Sequence, residues 1–362
     1  LSERNLAQIT SMLASVNGCA TEARGLMKLL TYDDGSGPRC GVLRNDNIID
    51  VATLLNSQPL RDVQALLELD DSPLDRVRVA LGGTSDDGIP LDSVRLRSPV
   101  LRPPTVRDFI VYEEHATGQG TRQAADAWYR MPIFYFSNTL RILGQGDHFP
   151  YPSACVQLDY EMEIGCIIGR EGTNVSAADG LDYIAGFCIF NDWSCRDLQF
   201  DEMDARLGPA KGKDSATTLG PWMVTTDEMA PYLKDGRLQV KCNVTVNGDK
   251  WMVDGNGGVA YHTWGDMVER ASRDSRIVPG DVFGSGTVGG GSISEAVRKG
   301  FDKARYLRPG DQVTLSVEGI GELRGTVDEP VISTDGYRYM AKEQRAMPEM
   351  GSAGDYRYEL KK

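Results

Sequence analysis

Residues 160–169 read YEMEIGCIIG, an apolar run that is interrupted by two acidic residues. A short apolar run that ends in glycine predicts a buried strand, and side chains alternate across a strand, so Glu161 and Glu163 should point to the same face. Two carboxylates side by side on a half-buried face repel each other, and a hard cation bound by both would remove that repulsion. A solvated face is the competing interpretation, and the pair alone does not decide between the two.

A third acidic residue ends the next apolar run, IAGFCIFND at 184–192. Functional side chains are often displayed where a strand gives way to a loop, which is the position of Asp192. With Glu161 and Glu163 it completes an all-oxygen set that suits Mg²⁺, Mn²⁺ or Ca²⁺ and suits zinc poorly. The sequence therefore predicts a hard, redox-inactive divalent metal.

Strand-like runs separated by glycine-rich turns recur along the chain and predict a β-rich fold. Besides the two runs above, they are LMKLLTY (26–32), CGVL (40–43), NIIDV (47–51), LQVKCNVTVNG (238–248) and DQVTLSVEGIG (311–321). Helical patterns are seen at about 60–82, at TWGDMVERASR (263–273) and at SEAVRKGFDKARYL (294–307).

The chain of 362 residues is long enough for a large domain with a smaller companion. A proline cluster, SPVLRPPTVRDFIVY at 98–112, marks a boundary near residue 100, because prolines interrupt hydrogen-bonded ladders. We expect four segments: an N-terminal extension (1–25, since Met27 resembles a natural start), a small α+β domain (26–100), a larger catalytic domain (101–335) and a polar tail (336–362).

Charge and cysteine content narrow the function classes. The 39 basic residues against 52 acidic ones give a net charge of -13, which opposes binding of nucleic acid. Seven scattered cysteines without a CxxC pair fit reduced thiols in the cytoplasm. The sequence shows neither a run of about 18 apolar residues nor a signal-like start, so we expect no membrane association.

Four motifs together resemble the signature series of the fumarylacetoacetate hydrolase superfamily. They are EMEIG (161–165), FNDWSCRDLQ (190–199), LGPAKGKDSATTLGPW (207–222) and GSGTVGGG (284–291). The resemblance covers about residues 105–328, in the family's order. It implies an α+β, β-rich fold, in which a C-terminal mixed β-sandwich or β-roll follows a small N-terminal α+β domain, and it also implies a homodimer.

The resemblance also implies roles for individual residues. Its implied metal ligands are Asp108, Glu161, Glu163 and Asp192. Its implied catalytic residues are His115, Glu295 and Lys213. Its implied substrate contacts are Tyr135, Gln199, Arg122, Thr217 and Thr287. Arg122 is the nearest match to an arginine that is displaced here, and Met203 and Asp204 stand where fumarylacetoacetases carry a tyrosine, which leaves the substrate open.

Plainer interpretations compete with several of these roles. A lone histidine is more often a packed or surface residue than a catalyst, although His115 follows a strand-like run in its expected context. Lys213 could be a surface charge. Glu295 lies at a predicted helix start, where the helix dipole favours an acid. The glycine run 284–291 lacks both the GK[ST] ending of a phosphate-binding loop and the GxGxxG spacing of a dinucleotide site, so we interpret it as a turn bordering the site.

The function implied is hydrolysis of a carbon–carbon bond in a small diketo acid, with the metal stabilising an enolate and His115, oriented by Glu295, activating water. Decarboxylation, hydration or tautomerisation of a β-keto or unsaturated 2-keto acid on the same metal site is the first alternative. A non-catalytic ligand-binding protein is the second, and it would predict loss of a ligand or of the histidine.

Overall fold

The computed structural model describes residues 27–70, 72–85 and 87–332. The predicted extension (1–25) and tail (336–362) lie outside these residues, so they stay predictions. Among the helices of the described residues, none is long and apolar enough to cross a membrane.

Strands account for most of the regular structure. In chain order they are β1 (Lys28–Asp33), β2 (Pro38–Arg44), β3 (Asn47–Asp50), β4 (Ile89–Pro90), β5 (Arg95–Arg97), β6 (Val106–Phe109), β7 (Phe134–Ser137), β8 (Ile142–Leu143), β9 (His148–Pro150), β10 (Leu158–Asp159), β11 (Met162–Ile168), β12 (Ile184–Asp192), β13 (Ser194–Cys195), β14 (Thr217–Thr225), β15 (Leu233–Lys234), β16 (Arg237–Leu238), β17 (Lys241–Val246), β18 (Asp249–Asn256), β19 (Val282–Gly284), β20 (Gln312–Val317) and β21 (Gly321–Asp328).

The helices are shorter and lie between the strands. They are α1 (Val51–Leu55), α2 (Val63–Leu67), α3 (Pro73–Gly83), α4 (Glu113–Ala116), α5 (Asp126–Arg130), α6 (Arg196–Asp204), α7 (Trp264–Ser272) and α8 (Ile293–Arg298). The helix predicted at 263–273 is confirmed as α7, which begins with a reciprocal capping box between Thr263 and Asp266.

Two helix predictions were too long. The stretch 60–82 forms α2 and α3 with a break between them, where Ser72 has a φ of 52° immediately before Pro73. Proline disfavours helical backbone in the residue before it, so one continuous helix cannot form. The stretch 294–307 is helical only to Arg298, because Gly300 then adopts a φ of 70° and ends the helix.

A large mixed sheet runs in the order β4-β3-β2-β1-β14-β12-β11-β19-β6-β7, with β5 beside β1 and β8 beside β14. The N-terminal hairpin extends the same sheet, since Lys28 of β1 pairs with Val224 of β14. The domain boundary near residue 100 therefore stays a prediction. The strand-rich α+β fold itself is confirmed.

A second sheet, in the order β18-β17-β20-β21-β9, packs on one face of the first. The main hydrophobic core joins Ile164 and Phe187 of the large sheet to Val244 and Leu315 of the second sheet. This arrangement is the predicted sandwich.

The opposite face of β11 and β12 is also covered, mainly by the N-terminal part of the chain. Cys188 and Phe190 of β12 share a second core with Leu66 of α2 and Val77 of α3. Because both faces of these strands are buried, a polar residue on either of them needs partners inside the protein.

Candidate metal centre

The strand register brings three acidic residues to one end of the large sheet. β11 and β12 are antiparallel, with Glu163 opposite Phe190, so the start of β11 lies beside the end of β12 at Asp192. On the other side of β11, β19 pairs with β6 in parallel, which sets Asp108 opposite Gly284. Carboxylates from three strands that are distant in sequence therefore face each other.

Asp108, Glu163 and Asp192 form the group best suited to a cation. Each offers a carboxylate oxygen, these oxygens all lie within 4.8 Å of one another, and all three residues are buried. Among the described residues, Oδ1 of Asp108 and Oδ1 of Asp192 have no hydrogen-bond partner. Buried carboxylate oxygens without partners are costly, and a divalent cation with a preference for oxygen ligands would satisfy both. The residues present therefore fit a divalent metal.

The pKa values of these carboxylates also favour a bound cation. Burial, reinforced by repulsion from Asp108 and Glu161, raises the pKa of Glu163 well above its ordinary value. Burial also raises the pKa of Asp192 well above its usual range, despite the favourable charge of Lys213. Without a cation, protonation is the way such a cluster relieves its repulsion, and a bound metal removes the need for it.

Glu161 lies beside this group and has different partners. Its Oε1 accepts a hydrogen bond of 2.7 Å from Nη2 of Arg196, and its Oε2 accepts one of 2.5 Å from Nζ of Lys213. Burial opposes its ionisation, but Arg196, Lys213 and His115 hold the pKa of Glu161 well below its usual range. It is 3% exposed and Glu163 is 1% exposed, so the solvated-face interpretation of this pair was wrong. A metal-ligand role for Glu161 stays a prediction.

Lys213 connects Glu161 to the three-carboxylate group. Besides Glu161, its ammonium contacts Asp192 and donates a hydrogen bond of 2.7 Å to Ser194. Burial opposes its charge, but Asp192 and Glu161 raise the pKa of Lys213, so it stays protonated. The surface-charge interpretation of this lysine was wrong, because it is 3% exposed.

His115 and Glu295 meet although 180 residues separate them. Nδ1 of His115, in α4, lies 3.2 Å from Oε1 of Glu295, in α8, and Nε2 lies 3.6 Å from Oε1 of Glu161. Glu295 does sit in the first turn of its helix, as the plainer interpretation proposed, but its side chain is fully buried and faces the histidine. The arrangement can hold the imidazole with Nδ1–H donated to Glu295 and Nε2 facing the acidic group.

Three of the predicted substrate contacts border the carboxylates. The Tyr135 hydroxyl lies 2.6 Å from Oδ2 of Asp108 and 2.5 Å from Oδ2 of Asp192. Thr217 pairs with Asp192 across β12 and β14. Thr287 is buried, its hydroxyl has no partner among the described residues, and it follows Gly286, whose N–H donates a hydrogen bond of 3.0 Å to Glu163. The glycine run thus borders the group, as predicted.

The other two predicted substrate contacts, Gln199 and Arg122, lie further from the three carboxylates. Gln199, in α6, accepts a hydrogen bond of 2.9 Å from Nη1 of Arg196. Arg122 is exposed, and its Nε donates a hydrogen bond of 3.2 Å to the carbonyl of Ala116, next to His115. Arg122 has no ion pair with the carboxylates among the described residues, so the structure does not bring it to the metal group.

Sequence reasoning missed two buried groups. Arg196 is 3% exposed and links Glu161 to Asp159, which is fully buried at the end of β10. Arg196 lies within the motif FNDWSCRDLQ, so a signal for it was present. Asp159 directly precedes the quoted stretch 160–169, and nothing in its local pattern distinguishes it from a turn residue.

Comparison with known proteins identifies the family. Residues 105–328 match the family model described as fumarylacetoacetate (FAA) hydrolase C-terminal. The chain belongs to this family. A fumarylacetoacetate hydrolase domain-containing protein 2 homolog of Dictyostelium discoideum is 27% identical over 84% of this chain and 98% of its own length.

Solved structures of similar fold include enzymes of two kinds. A 5-carboxymethyl-2-hydroxymuconate delta-isomerase from Mycobacterium smegmatis is 25% identical, with a TM-score of 0.60 over 84% of this chain and all of its own. Maleylpyruvate hydrolase from Sphingobium sp. SYK-6, in complex with manganese and pyruvate, is 22% identical with a TM-score of 0.63 over the same shares of the two chains. Family and neighbours together indicate an enzyme.

Proposed function

We propose that this protein is a divalent-metal-dependent hydrolase that cleaves a carbon–carbon bond in a small diketo acid. The observation that carries the proposal is the buried group of Asp108, Glu163 and Asp192, next to the His115–Glu295 pair. Two carboxylate oxygens of this group have no hydrogen-bond partner among the residues that the structure describes. The three carboxylates are suited to hold a cation, and the His115–Glu295 pair is suited to activate water. The proposed hydrolysis uses both.

The proposed ligands are Asp108, Glu163 and Asp192, with Glu161 beside them. When bound, a divalent cation supplies Lewis-acid polarisation to neighbouring substrate oxygens such as those of a diketo acid. Mg²⁺, Mn²⁺ and Ca²⁺ all accept carboxylate ligands of this kind. The maleylpyruvate hydrolase neighbour contains manganese, which makes Mn²⁺ the first ion to test.

His115 is the proposed general base. Its Nδ1 faces a fully buried carboxylate of Glu295, which can fix the tautomer and stabilise the imidazolium. Its Nε2 is then free to accept a proton from a water molecule on the side of Glu161. The pair would return that proton to the leaving carbon atom after the bond has broken.

Lys213 is the proposed electrostatic partner of developing negative charge. Its ammonium is held by Glu161 and Ser194 in a buried site, where a fixed positive charge acts more strongly than it would in water. We expect it to lower the energy of the departing carbanion without transferring a proton, because its raised pKa keeps it charged.

Isomerisation of an unsaturated 2-keto acid is the second candidate. It is favoured by the similarity to the delta-isomerase, and it needs proton transfer at carbon but no attacking water. Product analysis separates the two reactions, because hydrolysis yields two acids from one substrate and isomerisation yields one. Decarboxylation would instead release carbon dioxide.

The proposal is tested with fumarylacetoacetate and a set of acylpyruvates. Loss of the diketone absorbance is followed with Mn²⁺, Mg²⁺ or Ca²⁺ and with excess chelator, and products are separated by chromatography. We expect activity only with metal, and a fall in kcat of about 10²- to 10⁴-fold in His115→Ala, the range found for general bases. His148→Ala is the matched control, because His148 is exposed and its ring pairs with Asp328 on the second sheet, away from the carboxylates.

Two results would count against hydrolysis on this site. Full activity in the presence of chelator would refute the proposed metal dependence. A single isomeric product would show that the enzyme is an isomerase and not a hydrolase. Absence of any metal binding would leave the non-catalytic ligand-binding alternative. A homodimer in the cytoplasm is also proposed, from the resemblance and the cysteine content, and light scattering of the purified protein tests the dimer.

A further inference from the structure

Asp159 accepts three hydrogen bonds from two separate parts of the fold. Its Oδ1 accepts from the backbone N–H of Ile293 at 2.7 Å, and its Oδ2 accepts from the backbone N–H of Ser294 at 3.0 Å. The same Oδ2 accepts from Nε of Arg196 at 2.8 Å. The carboxylate is fully buried, so these donors are the groups that compensate its loss of water.

The first connection leads to the metal side of the site. Arg196 is buried, and while its Nε is held by Asp159 its Nη2 donates a hydrogen bond of 2.7 Å to Glu161. A guanidinium is rigid and planar, so fixing one edge fixes the direction of the others. Asp159 thereby sets the angle at which Arg196 meets Glu161.

The second connection leads to the water-activating side. Ile293 and Ser294 are the first two residues of α8, and Glu295 follows them directly. The Ser292 hydroxyl accepts from the N–H of Glu295, while Asp159 holds the two N–H groups before it. All the N–H groups in this first stretch are therefore held by side chains, and the position from which Glu295 reaches His115 is fixed.

We propose that Asp159 is a positioning residue that couples the His115–Glu295 pair to the carboxylate side of the site. It touches neither His115 nor the three-carboxylate group, and it acts through α8 and through Arg196. This inference rests on the proposed function for its effect on turnover. Its effect on the geometry of His115 can be measured without any substrate.

The test replaces the charge and keeps the shape. In Asp159→Asn one of the three donors faces an amide NH₂, so α8 or Arg196 must shift. We expect kcat to fall about 10- to 100-fold with KM close to that of the wild type, as for other residues that orient a site from behind. We also expect the ring ¹⁵N resonances of His115, assigned with His115→Ala, to move, because its hydrogen bond to Glu295 changes.

The matched control is Asp311→Asn. Asp311 is nearly as buried and also accepts from arginine and backbone donors, Arg305 and Arg308, but it lies at the start of β20 on the second sheet. The Asp311→Asn substitution should lower the free energy of unfolding without moving the ¹⁵N resonances of His115. Asp159→Ser, which leaves room for a water molecule, is the second variant if Asp159→Asn folds poorly, and kcat is expressed per folded molecule.

The outcomes separate this proposal from the proposed function. Unchanged His115 resonances in both Asp159 variants, or a kcat loss that only tracks the unfolded fraction, would overturn it. Moved resonances in Asp159→Asn but not in Asp311→Asn would support it even if the wild-type protein hydrolysed no diketo acid, and that second failure would concern the reaction alone.

Discussion

Gly284 of β19 lies directly opposite Asp108 of β6, and a methyl group at position 284 would come within 2.6 Å of Oδ1 of Asp108. The same methyl group would come within 2.7 Å of Oε2 of Glu163. The absence of a side chain on the strand between these two acids is therefore what lets their carboxylates approach each other.

Gly284→Ala should weaken metal binding more than it weakens the fold. The added methyl group must push apart two proposed ligands that have little room to move, so we expect Mn²⁺ affinity to fall by about tenfold or more. Titration followed by electron paramagnetic resonance measures it. Gly82→Ala in α3, where a methyl group meets nothing within 4 Å, is the control and should bind Mn²⁺ as the wild type does. Equal affinities in the two variants would contradict the crowding argument.

Asp108→Asn should have opposite effects on the protein with and without metal. Burial raises the pKa of Asp108, and an acid whose pKa is raised by folding destabilises the folded state at pH values above that pKa. At pH 7 the amide should therefore raise the melting temperature of the metal-free protein while lowering Mn²⁺ affinity. Differential scanning calorimetry with chelator and with Mn²⁺ gives both values. A lower melting temperature in chelator would contradict this prediction, because it would mean that the hydrogen bond from Tyr135 and the charge of Lys213 outweigh burial and repulsion at Asp108.

Lys213→Met should destabilise the metal-free protein strongly. The substitution leaves Asp192 and Glu161 buried without one of their cations, and breaking a buried pair in this way costs about 3–5 kcal/mol of unfolding free energy. Urea unfolding measures this cost, and saturating Mn²⁺ should recover part of it by supplying positive charge. Lys303→Met, which breaks an exposed pair with Asp249, should change stability far less.

The contribution of Asp311 to the free energy of unfolding should depend on pH. Burial opposes its ionisation, but hydrogen bonds from Arg305 and Asn247 lower the pKa of Asp311 below its ordinary value. An acid of this kind stabilises the fold above its unfolded pKa of about 3.9 and loses that contribution as the pH falls through the lower, folded value. Urea unfolding should thus show a gap between wild type and Asp311→Asn that is large at pH 7 and closes below about pH 4. A gap independent of pH would contradict this.

Local patterns predicted the elements better than their lengths. The alternation in 160–165 gave a strand with two acids on one face, and the strands at 28–33, 38–44 and 47–50 were expected from short apolar runs. The single helix predicted at 60–82 is two helices, α2 and α3, because Pro73 disfavours helical backbone at Ser72 and so prevents one continuous helix.

The sequence by itself determined the family, the strand-rich fold and the residue types available for chemistry, because these follow from local alternation and from motifs of fixed order. Tertiary structure alone decided that Glu161 pairs with Arg196 and Lys213 while Asp108 joins Glu163. Such contacts depend on which strands lie side by side and in which register. No periodicity within one segment carries that information, since these partners are tens of residues apart in the sequence.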